Sequence, residues 1–319
     1  MQSRPYRSTL FVPATRPQWL ERAVDSPADA IIVDLEDAVP EPAKQTARRN
    51  AEAYLHTLID AGRDVYVRIN PVTTPHWLAD LEAVVQPGLV GIAVPKIYRT
   101  REMFAVAEVL SALESERGIE PGATDMQPLL ETALGMHSAF EILSSSARVH
   151  SCFAGSARDG DANRELGFQW SKAGDETFTL RATLLMQARA AGVRYPISGT
   201  WVDIADHDGL AAFAQQSAAL GYTGMYVIHP GHIEIVNRAF TPSVEQLQRY
   251  RAIVAEFERA MHAGHGAATF EGGMIDAAMV SQAEEFLRFA QQLGVDDDED
   301  SAGAGDAVSS RAGGEDDGG

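Results

Sequence analysis

Short apolar runs of strand length alternate with stretches of helical spacing through most of this chain, and that alternation restricts its fold more than any other feature. Strand-like runs occupy residues 9–12, 30–34, 64–69, 91–95, 127–131, 149–154, 197–202 and 224–228. Between them, residues 17–24, 42–61, 101–117, 139–145, 177–191 and 209–220 carry apolar side chains three and four apart, the spacing of one helix face. A helix between two strands returns the chain to the same end of a sheet, so repeated alternation predicts parallel strands covered by helices. Eight such strands suit an α/β fold of the closed (β/α)8 TIM-barrel type. A doubly wound open sheet is the alternative, but "VPATRP" after the first run lacks the glycine-rich turn of a dinucleotide site. The expected organisation is a catalytic barrel over residues 1–240, a C-terminal helical extension or lid over 241–294, and a disordered acidic tail over 295–319.

The net charge of −19 is unevenly spread. Residues 296–319 hold nine acidic residues and one basic residue in a low-complexity run almost without large apolar side chains. Such a segment buries too little surface to offset its ordering entropy. The remaining −11 argues against nucleic acid as a partner. A single cysteine, Cys152, excludes a disulfide within the chain. No apolar run has the length of a signal peptide or a membrane span, so the expectation is a cytoplasmic protein without a membrane partner.

Barrel chemistry gathers at the C-terminal ends of the strands. Those ends carry ionisable residues in nearly every repeat: Asp34, Glu36 and Asp37 in "VDLED", Arg68 in "VYVRIN", Lys96 in "VPKI" and Glu131 in "LLET". Arg158, Asp159 and Asp161 follow in "SARDGD", then Asp203, Asp206 and His229. Carboxylates that converge need a cation. Oxygen donors without a His or Cys cluster favour a hard ion, Mg2+ or Mn2+, over zinc. Cys152 lies in a buried-strand pattern and reads as inert core, and His229, followed by Pro230, as a fixed loop residue.

The ordered series "RSTLFVPATRP", "ADAIIVDLEDAVPEPAKQTAR", "VRIN", "PK", "LLETALG", "GD" before "ELG", "GYTGMYVIHPGHIEIVN" and "GGMID" resembles the citrate lyase β-subunit-like branch of the HpcH/HpaI aldolase superfamily, over about residues 7–290. Ala14 stands where that pattern commonly has glycine, and "AGSARDGDANRELG" is about two residues longer than usual, which makes Asp159 and Asp161 rivals for one position. Asp161 keeps the usual distance to Leu166-Gly167. The resemblance implies a Mg2+-dependent barrel, a homotrimer or homohexamer, that cleaves or forms a carbon–carbon bond beside a carbonyl. Glu131 and Asp161 match the family's metal ligands, Arg68 its clamp for the substrate carboxylate, and Asp276 of "MID" an aspartate that enters a neighbouring subunit's active site. Glu36 and Asp37 would orient water and hold the arginine. Lys96 and Arg7, with Arg16 and Arg99 nearby, are candidates for the phosphates of an acyl-CoA. Gly272-Gly273 reads as a hinge for the lid, and Asp276 reads equally as a helix cap.

The leading expectation is therefore an acyl-CoA lyase acting on a malyl-CoA or citramalyl-CoA type of substrate to give an acyl-CoA and an oxo acid, glyoxylate or pyruvate. A thioesterase on the same site, a CoA-independent pyruvate aldolase, and a non-enzymatic oxo-acid-binding or partner-binding subunit are the alternatives. Retention of Arg68, Glu131, Asp161 and Asp276 together disfavours the last.

Overall fold

The computed structural model describes residues 4–155 and 157–295; apart from Val295, the segment expected to be a disordered tail lies outside them. The described chain divides into two compact units between Thr241 and Pro242.

The first unit is built on eight strands: β1 (Ser8–Pro13), β2 (Ala30–Asp34), β3 (Asp64–Arg68), β4 (Gly91–Val94), β5 (Asp125–Pro128), β6 (Ser151–Phe153), β7 (Tyr195–Thr200) and β8 (Gly224–Val227). They form one parallel sheet in the order β5-β4-β3-β2-β1-β8-β7-β6. A parallel bridge between Leu129 and Phe153 joins the two edges, so the sheet curls into the expected barrel. The helices α1 (Pro17–Ala23), α2 (Lys44–Asp60), α3 (Trp77–Val84), α4 (Thr100–Arg117), α5 (Ala133–His137), α6 (Ala139–Leu143), α7 (Asp161–Leu166), α8 (Asp175–Ala190), α9 (His207–Leu220) and α10 (Ile233–Phe240) fill the connections.

Each strand buries alternate residues on opposite faces, as a two-residue repeat requires. On β2, Ile31 and Val33 pack outward among helix side chains such as Ala47, Ala51, Leu55 and Leu58 of α2. Ala30 and Ile32 point into the barrel with Phe11, Tyr66, Ala93, Leu129, Phe153, Ile197 and Tyr226. The interior is thus a packed aromatic and aliphatic plug, and its upper layer makes the floor of whatever lies at the mouth. Tyr226 stacks on Phe153 at 5.1 Å and meets Phe11 edge-on at 4.9 Å.

The second unit holds α11 (Val244–His262), a hairpin of β9 (Ala268–Phe270) and β10 (Gly273–Ile275), and α12 (Ala277–Gln292). Ile253, Ile275, Val280 and Ala283 form its core, with Tyr250, Phe257 and Phe270 packed against it. The glycine pair expected to hinge a lid is instead part of a hairpin turn. Glu271 and Gly272 take φ of +48° and +79°, and Gly273 already pairs with Phe270. This is the primed-turn geometry that suits the twist of two antiparallel strands.

Candidate active site

The two-residue alternation decides what reaches the mouth. On β2, Ala30, Ile32 and Asp34 share the inner face; on β3, Tyr66 and Arg68 do. Asp34 and Arg68 are also register partners. Two opposite charges therefore end neighbouring strands side by side. The Arg68 guanidinium donates from Nε to Asp34 Oδ1 at 2.7 Å and from Nη2 to Asp34 Oδ2 at 2.8 Å. Its Nη1 lies 3.0 Å from Glu36 Oε2 and 3.7 Å from Asp37 Oδ2. The sequence reading assigned Glu36 or Asp37 to the arginine. Asp34 is its main partner, because only Asp34 shares its face and register.

Lys96 enters from the loop after β4. Its ammonium bonds Glu36 Oε1, reaches Asp37 Oδ1 at 2.7 Å and lies 3.4 Å from Asp161 Oδ2. Its backbone N–H donates to Glu131 Oε1 at 2.9 Å. Asp161 begins α7, and its other oxygen pairs with Arg164. The structure thus brings Asp34, Glu36, Asp37, Arg68, Lys96, Glu131 and Asp161 into one hub.

Buried polar contacts hold the loops that carry these residues. Lys44 Nζ donates to the carbonyls of Leu35 and Glu36, both at 2.8 Å, while Asp34 accepts the Glu36 N–H at 2.9 Å. Asn70 donates from its backbone and its side chain to Asp80, at 2.8 and 2.7 Å, which secures the segment after Arg68. In the "ETALG" segment, Thr132 donates to the Ile97 carbonyl at 2.6 Å and accepts the Gly135 N–H at 2.9 Å. A β-carbon on Gly135 would sit 2.2 Å from that carbonyl oxygen, so only glycine lets the Lys96 and Glu131 loops lie this close. The Phe11 ring supports Arg68 from below, 4.7 Å from its central carbon. These supports escaped the sequence reading. For Phe11, the strand period counted from β1 was the available signal.

A cavity of about 440 Å³ opens over the hub. Asp34, Asp37, Arg68, Glu131 and Asp161 line it beside Phe11, Leu129, Phe153, Tyr226 and Ile228. Asp159 also lines it, but its side chain is 85% exposed against 13% for Asp161, and it lies 3.7 Å from its neighbour Arg158. Other expected residues lie elsewhere. Arg7 precedes β1, at the opposite end of the barrel from the mouth, where it pairs with Asp29 at 2.8 Å and bonds Thr241. A phosphate role for Arg7 is therefore withdrawn in favour of a structural ion pair. Asp206 caps α9 and pairs with Lys172 at 2.5 Å. His229 accepts the Gly231 N–H in its own turn. Cys152 is fully buried, and burial pushes its thiol up to about 12. Asp276, in the second unit, is exposed and caps α12 by accepting the N–H groups of Ala278 and Met279.

The HpcH/HpaI aldolase/citrate lyase family model matches residues 7–230, which includes every residue of the hub. The chain belongs to that family. Its relatives include the L-malyl-CoA/beta-methylmalyl-CoA lyase of Cereibacter sphaeroides, 30% identical over 311 residues that cover 91% of this chain and 96% of the relative. The (3S)-malyl-CoA thioesterase of the same organism is 32% identical over 295 residues, covering 92% and 97%. Among solved structures, CitE from Mycobacterium tuberculosis in complex with magnesium, acetoacetate and coenzyme A superposes with a TM-score of 0.69. It is 30% identical and covers 91% of this chain and all of that one.

The electrostatics of this family member show what the hub lacks. Five carboxylates face two inner cations, Arg68 and Lys96, with Arg164 at the rim. Burial raises Glu131 to about 8, and the charges of Glu36 and Asp161 add to the rise. Burial likewise raises Glu36 to about 7 against the pull of Arg68 and Lys96. Glu36 Oε2 is buried without a hydrogen bond despite its approach to Arg68. Among the described residues, no group of three or more His, Cys, Asp or Glu side chains is arranged to hold an ion alone. Two carboxylates, with water and substrate oxygens completing the shell, are what Mg2+ takes, so the donor set fits that ion.

These shifts have a consequence for the metal-free protein. Between the ordinary carboxylate value of 4.5 and about 8, folded Glu131 holds a proton that the unfolded chain has released. Its contribution to stability is therefore greatest at acid pH and declines as pH rises through that window. Unfolding midpoints in denaturant, measured in chelator from about pH 5 to about pH 8, should fall more steeply for the native protein than for Glu131→Gln. Parallel curves would show that Glu131 is ionised throughout.

Proposed function

We propose that this chain is a Mg2+-dependent carbon–carbon lyase, with Mn2+ as a substitute ion, acting on a 3-hydroxyacyl-CoA that bears a second carboxylate. Malyl-CoA and citramalyl-CoA are the substrate type. The products are an acyl-CoA and an oxo acid, glyoxylate or pyruvate, and the same site would serve the reverse condensation. The observation that carries this reading is the placement of Arg68 beside Glu131 and Asp161 over an apolar floor, in a family whose similar members act on malyl-CoA.

Glu131 and Asp161 would hold the ion, which supplies Lewis-acid polarisation of the oxygen that becomes the oxo group. Asp34 occupies the Nε edge of Arg68 and leaves the Nη1 side for a substrate carboxylate, which would replace Glu36 there. Glu36 and Asp37, once released, orient water and the substrate hydroxyl. The rings of Phe11, Phe153 and Tyr226 keep water from the breaking bond. In cleavage, the hydroxyl passes its proton to the Glu36 and Asp37 carboxylates through the water they orient, the carbon–carbon bond breaks and a carbonyl forms. The electron pair passes to the thioester α-carbon as an enolate, which takes a proton. Asp276 of a neighbouring chain in a homotrimer or homohexamer is assigned that proton transfer, and the acyl-CoA chain extends outward past Lys96.

A second reading, a thioesterase, is favoured by the 32% identity to the malyl-CoA thioesterase. In that case water attacks the thioester carbonyl and free CoA leaves. The two are separated by supplying malyl-CoA or citramalyl-CoA with Mg2+ and following oxo acid and free thiol independently. The lyase yields oxo acid without thiol, whereas thiol with an intact hydroxy diacid would overturn the lyase reading. Glu131→Gln and Asp161→Asn should each lower turnover roughly 10²–10³-fold, while Asp159→Asn should retain it. A dead Asp159→Asn beside an active Asp161→Asn would reverse their assignment.

The shared-site assignment makes a separate prediction. Asp276→Ala should lose about 10²–10⁴-fold in turnover, and subunits mixed with Glu131→Gln under exchange conditions should regain activity. No recovery above the sum of the two variants would place Asp276 in its own chain's site. A loss of only about 1 kcal/mol of stability, with turnover intact, would leave it as a helix cap.

A further inference from the structure

Lys96 has two unusual properties. It takes φ of +49°, a left-handed backbone that a long L side chain adopts only when its surroundings enforce it. Its N–H is anchored on Glu131, and its ammonium touches Glu36, Asp37 and the Asp161 oxygen not taken by Arg164. One residue therefore binds one proposed metal ligand through its backbone and the other through its side chain.

We propose that Lys96 is a resident counter-ion that occupies the room a divalent cation needs beside Asp161, so that metal binding and the Lys96–Asp161 contact exclude each other. The inference rests on the reading that Glu131 and Asp161 hold Mg2+. A Mg2+ ion sits about 2.0–2.1 Å from a carboxylate oxygen. An ammonium 3.4 Å from the same oxygen would face that ion as a like charge at short range. The movement this demands is small. The amide stays fixed on Glu131 while the four-carbon stem swings, and Asp37, 54% exposed at the rim, retains the ammonium on the solvent side. The lysine thus neutralises the carboxylates until the metal arrives and then leaves Asp161 to it.

The test is metal affinity without substrate, read by calorimetry with Mg2+ on the full chain. Lys96→Met keeps the stem and removes the charge, so it should bind Mg2+ about tenfold or more tightly than the native protein. Lys96→Arg, which keeps a cation, should show no gain, and Glu131→Gln added to Lys96→Met should abolish the gain. A second measurement uses the native chain, which has only three lysines: Lys44, Lys96 and Lys172. In lysine-selective NMR, the Lys96 side-chain signal should shift as Mg2+ saturates, while Lys172, paired with Asp206 outside the hub, stays still. Equal or weaker Mg2+ binding by Lys96→Met, or an unmoved Lys96 signal in a protein that binds Mg2+, overturns the counter-ion role alone. Absence of Mg2+ binding in every protein overturns both this role and the metal reading beneath it.

Discussion

The bidentate pair between Arg68 and Asp34 is the contact around which the mouth is arranged. It exists because two neighbouring parallel strands end in register with opposite charges on their inner faces. The guanidinium side chain is only 12% exposed, and Phe11 lies under it. A charge so poorly solvated persists only when paired and hydrogen-bonded. Asp34 supplies that pairing and also accepts the Glu36 N–H, so one carboxylate fixes both the arginine and the turn that carries Glu36 and Asp37. Removing Asp34 would leave the arginine only its Nη1 contacts with Glu36 and Asp37 and would unpin the loop at once.

From that pair outward the hub becomes progressively less satisfied. Asp34 is fully engaged, Glu36 has one oxygen without a hydrogen bond, and Glu131 is held toward its protonated form by burial first and by the like charges of Glu36 and Asp161 second. The deficit is local and does not follow from the chain's net negative charge, much of which lies in residues 296–319. A site with positive charge on one side and crowded carboxylates on the other suits an anionic ligand bridged to a cation. Family membership and the magnesium-bound CitE relative support the same chemistry from outside the chain.

Much of this was legible beforehand, for physical reasons. All eight strands were located: β1, β2, β3, β4 and β8 because their buried residues are dense in Val, Ile and Leu or aromatic side chains, and β5, β6 and β7, which carry almost none of Val, Ile or Leu, through apolar residues just beyond their ends such as Leu129, Leu130, Val149 and Val202. Helices α3, α5, α7 and α10 were missed. Of these, α5 and α7 run to less than two turns, and α3 follows the Pro- and Thr-rich "PVTTPH"; length alone does not account for the misses, because α1 and α6 are as short and were located. Hub membership of Lys96, Glu131 and Asp161 was read from strand-end position and motif. The choice of Asp34 over Glu36 as the arginine's partner was not, because it depends on register, which no single strand encodes. Arg7 misled for a different reason: it lies just before the first strand, at the N-terminal end of the barrel, so the same strand-end rule that found the hub would have placed it away from the mouth.

The central claim is that the carboxylates at this mouth are one half of a cation site completed through Glu131 and Asp161. Crystals of the full chain grown with Mn2+ and an oxo acid test it directly, since manganese scatters anomalously and can be located without ambiguity. One strong anomalous peak is expected within coordination distance of both Glu131 and Asp161, with the oxo acid's carboxylate against the Nη1 side of Arg68. A peak bound to Asp159 in place of Asp161, or a mouth without manganese while the oxo acid is bound, would contradict it.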